Sequence, residues 1–408
     1  MTRFIEDDDF DEQLARTLAA ATAGCADLGE ALTTADRIVP GDLGSWYAEW
    51  TRTADQVRKE ADASRDAGHL ASATDCYLRA SEYYRQAFFY ARDDLDSARL
   101  RDAYAAHRAS FRAAIPGLPG PCAIAAIPYQ GTTLNGYLLQ PAGAPAGRPT
   151  VIAPAGYDST AEAGYPAAAV AALRHGLNCV IFEGPGQGGV LYEQRLYFRP
   201  DYEAVLTPVV DWLVTQPGID PGALVLFGRS FGGYLAARGA TGEHRLAALI
   251  CDPVEYDFAG TVRQRMGEEL WEQLGRDDPA VDPVLDLMLA DPRQRNSFMS
   301  RMVTHGTPTM RGYLRELCQF SLVGRSAQIT CPTLALEAEG DFANLGQLQA
   351  FASTLTCPVT THSFTAAEGA GGHCESLGQR RLERIVYDWL ETTLAEAPPP
   401  GEAAASPG

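Results

Sequence analysis

The segment Gly228-Arg229-Ser230-Phe231-Gly232 has the spacing G-x-S-x-G, and its flanks suggest a nucleophile. The apolar run "ALVLFG" precedes the serine and the small-residue segment "FGGYLAARGA" follows it, which predicts a strand turning sharply into a helix. A serine at such a corner is held in a strained conformation that lifts its Oγ above the strand ends. Close approach of strand and helix there calls for small residues two before and two after it. The hydroxyl attacks a carbonyl only when a base removes its proton, and the base needs an acid to orient it.

In this arrangement the order along the chain is Ser, acid, His. His244, His305, His362 and His373 follow Ser230. His244 precedes a strand, His305 falls in a long helical insertion and His362 sits within the last strand run. His373 lies in "AAEGAGGHCESLG", a glycine-rich loop between the last strand and the C-terminal helix, where a base is well presented. The acid should end the preceding strand, so Glu337, Glu339 and Asp341 of "PTLALEAEGDFANLG" compete. Asp341 follows the glycine that ends the run and is best placed. Asp252 and Glu255, after the strand that follows the nucleophile helix, are the fallback. For the oxyanion the expected donors are the backbone N–H of Phe231 and, from the loop after "TVIAPAG", that of Tyr157, with Gly156 adjacent.

Other chemistries are weaker. Gly184-Pro185-Gly186-Gln187-Gly188-Gly189 satisfies G-x-G-x-x-G, but it follows an internal strand run and opens no regular helix, so it reads as a turn beside the site. Cys374 adjoins His373 but has no base organised for it. Lys59 is the only lysine and its helical, charged context suits neither a phosphate loop nor a Schiff base. No His/Cys cluster has ligand spacing, so neither metal nor cofactor is expected.

The elements that position these residues can be read from periodicity. Up to Ala114 the pattern is helical, with "AGHLASATDCYLRASEYYRQA" resembling a single tetratricopeptide-like hairpin without further copies. "IPGLPGP" breaks it. Then "CAIAAIPY" and "LNGYLLQP" form a hairpin, and "TVIAPAG", "NCVIFEG", "ALVLFG", "LAALICD", "PTLALEAEG" and "VTTHSF" alternate with helical segments. That alternation predicts a mainly parallel sheet covered on both faces. The expected organisation is a helical N-terminal domain over 1–115 and a sheet domain over 116–396. Residues 255–328 would be a helical cap inserted in the sheet domain, and 397–408 a disordered tail.

The chain has 408 residues, with 46% hydrophobic and 21% charged residues, as in ordinary globular proteins. A formal net charge of −19 disfavours nucleic acid and anionic membrane as partners. Nine scattered cysteines, an acidic N-terminus and the lack of a membrane-length apolar run lead to the expectation of a cytoplasmic protein. Its partner would be a small-molecule substrate, with a homodimer allowed.

With these residues in place the chain resembles an α/β-hydrolase. More narrowly it is similar to the family of 2,6-dihydropseudooxynicotine hydrolase, the fungal polyketide-shortening hydrolases and the FrsA-like esterases. The resemblance rests on "YLRASEYYRQA", "AGYDSTAE", "EGPGQGG", "GRSFGG" and "EGAGGHCE", in that order. It implies Ser230, Asp341 and His373 as a triad, and cleavage of a C–C bond next to a ketone, or of an ester, without cofactor or metal. It also implies a further acid near the substrate, for which Asp252 and Glu255 are the candidates. Glu183 departs from the Asp that often precedes G-P-G in the family, which bears on the pocket. An acyltransferase or cyclase of natural-product assembly would use the same triad, and a non-catalytic ligand-binding protein of this fold is the remaining alternative.

Overall fold

The computed structural model describes residues 3–143, 147–343 and 346–396; the tail expectation for 397–408 lies outside them. Acidic side chains start the first helices. Asp7 accepts from the N–H of Phe10 at 3.1 Å, ahead of α1 (Asp8–Ala20). Asp27 and Asp42 likewise cap α2 (Leu28–Ala35) and α3 (Leu43–Asp66). Helix α3 turns back through Gly68, at φ 78°, into α4 (Leu70–Phe88), and α5 (Ala98–Ala114) follows. Aromatic rings weld these helices: Phe10 to Trp46 at 4.6 Å, Trp46 to Trp50 at 5.8 Å and Trp50 to Tyr83 at 5.6 Å between centroids. Removing so large a buried ring typically costs about 3–5 kcal/mol.

Strands β1 (Cys122–Tyr129) and β2 (Thr132–Leu139) pair antiparallel. Their two-residue turn has Gln130 at φ 43° and Gly131 at φ 84°, the left-handed pair that suits the twist of a hairpin. They join β3 (Arg148–Pro154), β4 (Asn178–Phe182), β5 (Ile219–Arg229), β6 (Leu246–Asp252), β7 (Thr333–Ala338) and β8 (Val359–Phe364). The sheet order is β1-β2-β4-β3-β5-β6-β7-β8, parallel from β4 onward, with β2 antiparallel to β4.

Alternate residues face opposite layers, so both faces are apolar. Val225 and Phe227 of β5 point into one core, shared with the five N-terminal helices and with α6 (Val170–Arg174). Leu224 and Leu226 point into the other, shared with α8 (Glu203–Leu213) and α9 (Phe231–Ala240); a short α7 (Gly188–Tyr192) precedes α8. After β6 comes a run of helices: α10 (Phe258–Met266), α11 (Glu268–Gly275), α12 (Asp282–Asp286), α13 (Pro292–Thr304) and α14 (Met310–Leu317). They have a small core of their own around Val281, Leu285 and Tyr313. Helices α15 (Leu348–Ala352) and α16 (Gln379–Glu396) flank β8 in the chain, and α16 packs on the first core.

From β3 the chain passes to β4 on one side, and β5 lies on the other. A crevice opens outside the carboxyl ends of strands at such a reversal, and Ser230 stands there. Among the described residues no helix is long and apolar enough to cross a membrane.

Candidate active site

Ser230 sits between β5 and α9 at φ 56°, ψ −137°, a conformation that costs about 1–3 kcal/mol and persists only where its surroundings impose it. Its N–H donates to the Asp252 carbonyl at 2.6 Å, and its carbonyl accepts from Gly233 at 2.7 Å. A Cβ at Gly228 would lie 1.9 Å from the Gly232 carbonyl oxygen, so that glycine is obligatory. At Gly232 a Cβ would meet only ordinary contacts from 3.5 Å, whereas at Gly233 it would lie 2.2 Å from the Pro253 carbonyl oxygen. The second small residue needed is therefore three places after the serine, not two, because the close neighbour is the loop after β6.

His373 Nε2 lies 2.9 Å from Ser230 Oγ, and its Nδ1 lies 2.7 Å from Asp341 Oδ1. Asp341, just past β7, also accepts from the N–H groups of Ala343 at 2.7 Å and Cys374 at 3.3 Å. Burial opposes its ionisation, but the His373 contact and these N–H donors hold the carboxyl below its ordinary range. The competing acids point elsewhere: Glu337 accepts from Ser363 and Glu339 from the Ala366 N–H. His244 faces Thr330, His362 packs on Phe364, and His305 is buried in the insertion.

The loop bearing His373 is strained. Cys374, Glu375 and Ser376 all have positive φ, at 47°, 58° and 43°. Arg229 clasps this loop, donating to the Cys374 carbonyl at 2.8 Å, Gln379 Oε1 at 3.0 Å and Asp252 Oδ2 at 3.2 Å. Gln379 donates to the Cys374 and Ser376 carbonyls at 2.9 and 2.8 Å. Burial and the Asp252 charge push the Cys374 thiol well above its ordinary range, which leaves it protonated.

Asp252 and Glu255 part company. Asp252 is buried against Arg229 and lines neither cavity at Ser230, so the structure does not bring it to a substrate. Glu255 lines the larger cavity, is 6% exposed, and its Oε2 has no hydrogen-bond partner. Burial, then the charge of Asp341, raises its carboxyl well above the ordinary range.

The loop after β3 brings Gly156 beside the serine: a Cβ there would lie 3.4 Å from Ser230 Cβ. The N–H of Phe231 opens α9, where helical N–H groups lack intrahelical acceptors. Gln187 fixes the Tyr157 loop. It donates to the Ala155 carbonyl and, at 3.1 Å, to that of Gly156, while its Oε1 accepts from Gly184 at 2.7 Å. Sequence reasoning placed "GPGQGG" beside the site but missed this side chain, whose partners are backbone carbonyls without a residue-type signature. The turn has no room for a phosphate: a Cβ at Gly186 would lie 2.4 Å from the Phe198 ring. Glu183 is fully buried, accepting from Gly189 at 2.8 Å and Ala161 and Asn135 at 3.2 Å. It therefore braces loops and is absent from the walls of both cavities.

Two cavities meet at Ser230. One of about 180 Å³ runs between α1, α4 and the Tyr157 loop, past Arg16, Arg85 and His373. The other, of about 650 Å³, lies under the inserted helices and includes Tyr157, Phe231, Phe258 and Tyr313. Of "SEYYRQAFFYA", Phe89 and Tyr90 line it, whereas Tyr83, Tyr84 and Phe88 pack inside. Asp158 lies between the two; burial opposes its charge, yet Arg16 and Arg92 hold its carboxyl down to about 2. Among the described residues no group of three or more His, Cys, Asp or Glu could hold a metal ion.

No family model matches the chain. It is 35% identical over 346 residues to the alpha/beta hydrolase xenA of Xenoacremonium sinensis, covering 79% of this chain and 80% of that one. To the 20-hydroxy-prefusarin hydrolase FUS2 of Gibberella moniliformis it is 32% identical over 417 residues, 97% and 99% of the two chains. To the hydrolase LUC6 of a Fusarium species it is 30% identical over 404 residues, 94% and 96%. The fold resembles the crystal structure of 2,6-dihydroxy-pseudo-oxynicotine hydrolase, with a TM-score of 0.72 at 22% identity over 92% and 95% of the chains. It also resembles AbyA5, at 0.61 and 18% over 90% and 94%.

Proposed function

The chain belongs to the α/β-hydrolase family of these fungal enzymes, and from that membership we propose that it is a serine hydrolase cleaving an ester, or a C–C bond next to a ketone, in a small and partly apolar molecule. The observation that carries this reading is the unbroken line Ser230–His373–Asp341, with contacts of 2.9 and 2.7 Å, at the junction of two cavities.

In this reading His373 Nε2 takes the Ser230 proton as Oγ bonds to the substrate carbonyl carbon, and Asp341 stabilises the imidazolium. The oxyanion accepts from the N–H groups of Phe231 and Tyr157. Collapse restores the carbonyl and breaks the bond to the leaving group. His373 then returns the proton, to oxygen for an ester or to carbon for a ketone. Water, activated by the same histidine, hydrolyses the acyl-serine. Glu255, in its acid form on the cavity wall, is the substrate-facing acid. A relative named for 20-hydroxy-prefusarin supports a small organic substrate, and the cavity's aromatic walls suit an apolar one.

Ser230→Ala should lose about 10³-fold or more of turnover while keeping its fold, and should lose labelling by a fluorophosphonate probe. Comparing kcat/KM on an aryl 1,3-diketone, a short acyl ester and a peptide amide tests the substrate class. A preference for the peptide, or full activity in the alanine variant, would overturn the reading.

A further inference from the structure

Arg301 lines the larger cavity and has no ion-pair partner among the described residues. It projects from α13 beneath the inserted helices, on the same cavity wall system as Ser230. Its Cζ stands 6.0 Å from the centroid of the Tyr157 ring. It is half-buried, and no side-chain hydrogen bond or ion pair holds its guanidinium among the described residues. Two other arginines of this cavity are matched by carboxylates: Arg16 has Glu12 and Asp158, and Arg92 has Asp158. The cavity that Arg301 shares has apolar and aromatic walls in Phe258, Phe298, Tyr313 and Leu314, with carboxyl groups at Asp9, Glu12, Asp158 and Glu255. A half-buried guanidinium without a counter-charge gains from an anion that enters the cavity beside it.

The group nearest in sign does not fill that role. Glu255 is close enough for the Arg301 charge to be felt, yet the two make no ion-pair contact. Glu255 lines the same cavity, while its Oε2 is buried against the protein without a hydrogen-bond partner. In its acid form Glu255 carries no charge that would neutralise Arg301. A planar anion with two oxygens fits the guanidinium, whose fork binds a carboxylate through two parallel N–H···O bonds.

We propose that Arg301 is a specificity-determining residue that binds a carboxylate carried by the substrate, away from the carbonyl that Ser230 attacks. This deepens the hydrolase reading by naming a substrate class, acids with an apolar body, and it rests on that reading for the identity of the reacting carbonyl. The aromatic walls take the body and Arg301 takes the charged end, which fixes the carbonyl's distance from Ser230.

The test is equilibrium binding, so that it does not depend on turnover. Calorimetric titration of the full chain with 4-phenylbutyrate and with 4-phenylbutan-1-ol compares a carboxylate with a neutral ligand of similar shape. A charge-assisted bidentate contact should favour the carboxylate by about tenfold to a hundredfold. In Arg301→Gln the preference should vanish while the alcohol's affinity stays within about twofold, and Arg301→Lys should recover part of it. Equal affinities in the wild type, a carboxylate that does not bind, or a preference that survives in Arg301→Gln would overturn the proposal. If Ser230→Ala leaves activity intact but the carboxylate preference disappears with Arg301, the reaction has been misread and the anion site stands.

Discussion

Asp341 reaches His373 and Asp252 does not, although both stand at the carboxyl ends of neighbouring strands, Asp252 ending β6 and Asp341 just past β7. The difference lies in what each carboxyl touches. Asp341 accepts His373 Nδ1 at 2.7 Å, whereas Asp252 is committed to Arg229 at 3.2 Å. Asp341→Asn should therefore favour the wrong imidazole tautomer and lower kcat by about 10⁴-fold with little change in KM. Asp252→Asn should act through stability, lowering the melting temperature and leaving the pH dependence of kcat in place. A mild Asp341→Asn with a severe loss of kcat in Asp252→Asn would reverse the assignment. These acids were legible as a short list because strand ends and glycines limit where a triad acid can stand. Gln187 and Arg229 were not legible. Gln187 acts on backbone carbonyls, and Arg229 on the Cys374 carbonyl together with Asp252 and Gln379, partners that come together only when the chain has folded.

At the level of elements, the strands could be read because short apolar runs bounded by glycine and proline have few other uses. The hairpin turn at Gln130-Gly131 and the elbow at Ser230 follow from local backbone demands. The inserted helices could be read as helical, but which of their side chains face the cavity depends on how they dock. His305, just past α13, shows this. Both ring nitrogens lack partners, and the rings of Tyr157, Phe198, Tyr313 and Phe320 stand 5.0 to 5.6 Å away. Burial, then the charge of Arg301, lowers its pKa from 6.5 to about 3. Between those values the unfolded chain binds a proton that the folded one does not, so this histidine's contribution is intact above 6.5 and falls as pH falls through the window. Well below 6.5 the loss is about 1.4 kcal/mol per pH unit. His305→Phe keeps the aromatic packing and removes the titration. Urea midpoints at pH 8 and pH 5 should show the variant gaining on the wild type mainly at pH 5. An equal gain at both would mean that packing, not protonation, sets the difference.

Across the whole molecule, one apolar core runs from the N-terminal helices into the sheet. Phe111 of α5 meets Tyr137 of β2 at 4.8 Å and Tyr165 at 5.4 Å, and His107 is buried between Ser81 and Thr160. Arg108 pairs with Glu193 and Arg195 with Asp96 across the same boundary. The helices also reach the site, since Arg16 and Arg92 hold Asp158 and Tyr90 lines the larger cavity. A composition break at "IPGLPGP" thus marks a change of architecture, whereas the packing across it is that of one body. The expected outcome is one cooperative transition in calorimetry, coincident with loss of fluorophosphonate labelling at Ser230. A chain starting at residue 116 would expose Tyr137, Tyr165 and the alanines of α6, a continuous apolar face that favours aggregation over folding. Two resolved transitions, or a truncated chain that folds and labels at Ser230, would show instead that the helices are an addition to a self-sufficient sheet domain.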